Sequence, residues 1–77
     1  MTNKNKELSA RELEIIELLA EGFTNNFIAD LLFVQPKTIQ SHLNNIYYKI
    51  GLSKEEGKYS PRTKLALLYD GGRILIK

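Results

Sequence analysis

Pro36-Lys37-Thr38-Ile39-Gln40-Ser41-His42-Leu43-Asn44-Asn45-Ile46-Tyr47-Tyr48-Lys49-Ile50-Gly51 carries the start, the periodicity and the stop of one long helix. Proline suits the first position of a helix, because its ring presets the backbone angle and its missing amide would be unpaired there anyway. Glycine suits the position just past the end. Between them Ile39, Leu43, Ile46 and Ile50 recur at i, i+4, i+7 and i+11, one apolar stripe of a helix over about residues 36 to 50. Lys37, Gln40, Ser41, Asn44 and Tyr48 fall on the opposite face and are polar or amphipathic.

Upstream, two more helices read from caps and periodicity. The first begins at Ser9, which has capping-box spacing to Glu12. Leu13, Ile16, Leu19 and Ala20 supply its apolar side, Glu14, Glu17 and Glu21 its other side, and Gly22 its stop. Leu8 and Phe23 flank it and are expected in the core. The second helix begins at Thr24, a good N-cap, and runs to about Leu32. Ile28, Leu31 and Leu32 form its expected buried stripe, and Ala29 is small where a neighbour can approach. Phe33-Val34-Gln35 is a short break before Pro36. Downstream, residues Leu52 to Tyr59 read as a charged loop, and Ser60-Pro61 starts a fourth helix that runs to about Asp70, with Gly71-Gly72 as its stop.

Composition narrows the class. The chain has 77 residues, room for one domain, and a hydrophobic fraction of 43% that is enough for a core. A domain this small buries only about 60% of its unfolded surface, so pairing is a natural source of extra stability. No apolar run reaches the ~18 residues of a membrane helix, and Met1 to Lys6 is polar, unlike a signal peptide. The cytoplasm is the expected compartment. Without cysteine and with His42 as the single histidine, neither a disulfide nor an ordinary metal site is expected, and no cofactor is implied. There is no nucleophile–base pair and no phosphate-cradling glycine loop, so an enzyme is not expected.

The net charge is +2, and its distribution says more than its size. Glu7, Glu12, Glu14, Glu17 and Glu21 crowd the N-terminal part, whereas Leu31 to Lys54 contains no acid but includes Lys37, Lys49 and Lys54. An acid-free segment can approach a phosphate backbone without like-charge repulsion. Two helices joined by a short break, the second polar and acid-free on its outer face, describe a helix-turn-helix. The amides of Gln40 and Asn44 suit base reading, since either can pair bidentately with adenine N6 and N7. A plain solvated helix face is the competing explanation for Lys37, Gln40, Ser41 and Asn44.

Five blocks carry a resemblance to a known family. Leu8-Ser9-Ala10-Arg11-Glu12-Leu13-Glu14-Ile15-Ile16, Leu18 to Asn26, Ile28-Ala29-Asp30-Leu31-Leu32, Pro36 to His42 and Ile46 to Gly51 occur in the order and spacing of LuxR/GerE helix-turn-helix domains. Across residues 1–77, with a core over about 8–70, the chain therefore resembles one all-α, four-helix domain of that type. The resemblance implies sequence-specific binding to double-stranded DNA by a bacterial transcription regulator. It is similar to short stand-alone GerE-like regulators and to the effector domain of a larger response regulator or signal receptor.

The resemblance places base contacts on Gln40, Ser41 and Asn44. It places DNA-backbone contacts on Thr24, Lys37, Thr38, His42, Lys49 and Arg62. Three of the last group have a simpler explanation beside them: a pure cap for Thr24, packing for His42, a solvated surface lysine for Lys49. The family often has a basic residue where this chain has Gln40, which lowers sequence-independent affinity and shifts the expected preference from guanine toward adenine. The loop Leu52 to Tyr59 is longer than the family's usual connection.

In the fourth helix Leu65, Ala66, Leu67, Leu68 and Tyr69 are consecutive and apolar, more than one side of a helix can bury. The resemblance implies homodimerisation there, with Leu65, Leu67, Leu68 and Tyr69 as the expected interface. A cover formed by the tail residues Ile74 to Ile76 is the alternative. Besides DNA and a second copy, RNA polymerase is a candidate partner for such a regulator. A helical protein-interaction module that keeps the shape without binding DNA is the rival function, favoured by the neutral Gln40 and the modest net charge.

Overall fold

The structure is a computed structural model, and it describes residues 8–52 and 59–70. Four helices follow in order: α1 (Ala10–Ala20), α2 (Asn25–Leu32), α3 (Pro36–Ile50) and α4 (Pro61–Asp70). Their boundaries lie where local chemistry puts them. The Ser9 hydroxyl accepts from the Glu12 amide at 3.1 Å, and the Glu12 carboxylate accepts from the Ser9 amide at 2.9 Å, a complete capping box. Thr24 caps α2 by accepting from the Phe27 amide at 3.2 Å. Pro36 opens α3 at a terminus without a side-chain cap. Gly51, at φ 87, closes it while the amides of Gly51 and Leu52 return to the Tyr47 carbonyl. The Ser60 hydroxyl accepts from the Thr63 amide and starts α4. The expected stop at Gly71-Gly72, the tail Ile74 to Ile76 and most of the loop Leu52 to Tyr59 lie outside the described residues.

α1 packs against each of the other three helices, and α2 packs on α3. The fully buried side chains are Ile15 and Ile16 of α1, Ile28 of α2, Ile39, Leu43 and Ile46 of α3, and Leu65 of α4. Ala29 is buried as well, at the close approach its size suggested. Leu8 is in the core and Phe23 packs against it. Two expectations need correction. Leu31 does not join the buried stripe of α2 and is 44% exposed, because the turn that leads into α3 aims the inner face of this short helix along Ile28, Ala29 and Leu32. Ile15, absent from the expected stripe of α1, is fully buried, because α1 is covered on more than one side.

The break between α2 and α3 turns on Phe33, which sits in the left-handed region at φ 60, ψ 43. There the Val34 amide returns to the Ala29 carbonyl at 3.0 Å, and the chain is redirected into α3. That conformation costs an L-residue roughly 1–2 kcal/mol. Phe33 has little packing to offset the cost, since it is 93% exposed. Phe33→Gly is therefore expected to stabilise the fold by about 0.5–1 kcal/mol, once the greater freedom of glycine in the unfolded chain is subtracted. Urea unfolding measures this through the midpoint. A lower midpoint would show that the Phe33 ring contributes more to packing than its exposure indicates.

Candidate nucleic-acid interface

The rotation of α3 about its axis is set by Ile39, Leu43 and Ile46, which leave the opposite face outside. Lys37, Gln40, Ser41, Asn44 and Tyr48 are all exposed there, and Thr38 and His42 are half-buried at its margins. No acidic residue lies on α3 or within Leu31 to Lys54. The three expected base-contacting residues, Gln40, Ser41 and Asn44, thus share one open surface. Lys37 and Thr38 sit in the first turn, where helix amides and a positive end favour an anion. Thr24 is exposed beside the start of α2, and its hydroxyl oxygen is already engaged as the cap.

The amides on this face are not independent. Arg62, in the first turn of α4, donates through Nη2 to the Phe23 carbonyl and through Nη1 to Asn25 Oδ1, both at 2.7 Å. Asn25 Nδ2 donates to Gln40 Oε1 at 3.2 Å. Gln40 Nε2 in turn donates to Asn44 Oδ1 at 3.0 Å. A continuous ladder thus runs from α4 through the start of α2 to the outer face of α3. Asn25 was not among the expected site residues. It stands one position after a threonine cap, and nothing in its spacing tells which distant groups it meets.

Behind the same helix lies a buried ion pair. The Lys49 ammonium donates to both oxygens of Glu12, at 2.9 and 3.1 Å, and Glu12 is only 4% exposed. Lys49, expected at a phosphate, thus also serves an internal carboxylate and helps fix the end of α3 to the start of α1. Arg62 is likewise engaged within the chain. Burial by itself pushes the Glu12 carboxyl up. The hydrogen bonds from Lys49 and the Ser9 amide, backed by the charges of Lys49 and His42, outweigh burial and hold it below the ordinary glutamate value.

The expected dimer face is corrected in part. Leu65 is fully buried within a single chain, so it cannot meet a second copy. Leu68 and Tyr69 are half-buried against the core, and Leu67, 54% exposed, is the most open of the four.

The arrangement, a short helix turned through a tight break onto a longer helix with an open polar face, defines a helix-turn-helix protein. A family model described as "Bacterial regulatory proteins, luxR family" (GerE) matches residues 6–57. The chain belongs to that family, and the class it supports is the DNA-binding transcription regulator. It is 47% identical over 66 residues to the "Oxygen regulatory protein NreC" of Staphylococcus aureus (strain JH9), covering 83% of this chain and 30% of that protein. The proteins of the same name from strains Mu3 / ATCC 700698 and USA300 match to the same extent. The chain therefore spans 30% of the length of these curated relatives. No solved structure matches it significantly. Among the described residues, no helix is long and apolar enough to cross a membrane.

A carboxyl held below its ordinary value adds stability that is present above the unfolded-state pKa and lost as pH falls through the folded one. Glu12→Gln should thus destabilise the protein by roughly 2–3 kcal/mol at neutral pH, the loss of charge-assisted hydrogen bonds to a buried group. The gap between the two proteins should narrow as pH falls from the ordinary glutamate range through the lowered value of the native carboxyl, where the native carboxylate becomes protonated too. Denaturant unfolding across pH 3 to 7 tests this (these values bracket the glutamate range). A gap that stays constant with pH would show that the Glu12–Lys49 ion pair does not stabilise the fold.

Proposed function

We propose that the chain binds double-stranded DNA in a sequence-specific manner by laying the outer face of α3 in the major groove. The observation that carries the reading is the joint exposure of Gln40, Ser41 and Asn44 on an acid-free helix whose other side is fully committed to the core. Gln40, Ser41 and Asn44 read base edges. Lys37, Thr38, His42 and Thr24 meet phosphates along the first turns of α3 and α2, while Arg62 and Lys49 hold the helices that present them.

In this reading residues 1–77 form one DNA-binding domain in the cytoplasm. It acts alone or as the DNA-reading part of a longer regulator, and its relatives named for oxygen regulation are proteins of that longer kind. A homodimer through α4 would place two copies of α3 about one helical turn of DNA apart, matching an inverted repeat. The exposure of Leu67 supports that surface. RNA polymerase is the further partner such a regulator would contact.

Binding measured across salt concentrations separates this function from a protein-interaction module. Affinity for duplex DNA should fall with a log–log slope of about −0.9 per phosphate neutralised. Lys37→Ala should flatten that slope with little change in sequence preference. Gln40→Ala should lower discrimination by roughly 1–3 kcal/mol and leave the slope alone. Salt-independent binding, or a Gln40→Ala protein with unchanged affinity and preference, would contradict the reading. For the dimer, sedimentation should show a mass that rises with concentration and falls back in Leu67→Lys. A strict monomer at high concentration, free of DNA, would favour the tail as the cover of α4.

A further inference from the structure

The ladder that ends on α3 has a direction, and the direction is imposed from its far end. Arginine has donors only, so the group that meets Arg62 Nη1 must be the oxygen of Asn25. The Asn25 nitrogen is then the end left to face Gln40, and it meets Oε1. The Gln40 nitrogen is in turn left to face Asn44, and it meets Oδ1. Reversing either α3 amide alone would set donor against donor or oxygen against oxygen. Each amide oxygen of the reading face thus already accepts one donor from within the chain, which leaves it a single lone pair. One N–H of Gln40 and both N–H groups of Asn44 meet no acceptor among the described residues.

We propose that Arg62, acting through Asn25, polarises the reading face, so that Gln40 and Asn44 offer donors and select acceptor-rich base edges, guanine O6 and N7 first. This inference rests on the DNA-binding reading above. It reverses the adenine preference expected of free amides, because adenine requires an oxygen and an N–H side by side on one amide, and the ladder already engages each oxygen once, so that three N–H groups stand against two lone pairs on the face. Arg62 and Asn25 are positioning residues, which fix what Gln40 and Asn44 present.

Asn25→Asp tests the direction of the ladder without dismantling it. A carboxylate still accepts from Arg62, and at the first position of α2 a negative charge is favourable, so the fold is kept. The carboxylate can only accept, so it turns Gln40 Nε2 toward itself. Gln40 Oε1 then takes a donor from Asn44, and Asn44 Oδ1 is left outward. Selection on random duplexes, run on the native protein and on the variant, reads the result as base frequencies. The native protein should enrich guanine at the position facing Gln40 and Asn44. In Asn25→Asp the enrichment on that strand should pass to adenine or cytosine, which offer an amino group, with a change of about tenfold in the ratio to guanine.

The total affinity of Asn25→Asp should fall through its added negative charge, and the ratio is independent of that loss. Asn25→Ala, which cuts the ladder, should bring the guanine-to-adenine ratio toward one, and serves if the aspartate variant does not fold. Adenine enriched by the native protein, or a base preference identical in all three proteins, would overturn the inference and leave DNA binding standing. No sequence enrichment by the native protein would instead overturn the DNA-binding reading on which it rests.

Discussion

Ile39, Leu43 and Ile46 have no exposure to solvent, and together they fix how α3 is rotated about its own axis. Each such side chain contributes about 1.5–3 kcal/mol by leaving water. Turning the helix by one residue's angle would expose them and drive Gln40 and Asn44 into an apolar interior with unmatched amides. The same burial that holds the bundle together therefore decides which face of α3 is open. α2 and α1 together supply the opposing surface, and α1 also touches α4. The Glu12–Lys49 pair adds a polar fixture where α3 crosses α1. It is unusual in that the carboxylate also closes the N-terminal cap of its own helix, so one side chain serves both local and tertiary structure.

The open face combines two requirements that a DNA reader must meet together. It carries no acid, so nothing on it repels a phosphate backbone. It also carries neutral hydrogen-bonding groups at positions one helical turn apart, Gln40 and Asn44, which interact with each other before any ligand arrives. Anchoring those groups through Asn25 to Arg62 lowers the number of states they must abandon on binding, and a preorganised surface loses less freedom when it docks. The basic residues follow a division of labour. Lys37 is exposed at the front of α3, while Lys49 and Arg62 secure the scaffold behind it.

Much of this was legible in the sequence because it is local. Ser9 with Glu12, Thr24, Pro36, Gly51 and Ser60-Pro61 mark helix ends through contacts of a few residues, and the four helices begin, and α3 ends, where those signals stand. The stripe of α3 was equally plain, because 3.6-residue periodicity needs no knowledge of partners. What was not legible depends on residues far apart in the chain. Lys49 reads as a surface cation until α1 brings Glu12 within 2.9 Å of it. Arg62 is placed at a phosphate by the resemblance, and nothing in the sequence tells that α4 also carries it to Asn25 and Phe23. Leu65 stands beside Leu67 in the interface that the resemblance implies, because a run of five apolar residues does not say which side of α4 the rest of the chain will cover. Leu31 was misplaced for a related reason, since an eight-residue helix leaves its inner face to be chosen by the turn at Phe33.

The central claim is that the outer face of α3 lies against nucleobases. It is tested most directly by following backbone and side-chain amide resonances while duplex DNA is added. If that face meets DNA, the side-chain amides of Gln40 and Asn44 and the backbone amides from Lys37 to Asn44 should shift most, with the core of α1 little changed. Shifts confined to α1 or to the Leu67 side of α4, with Gln40 and Asn44 unmoved, would contradict it.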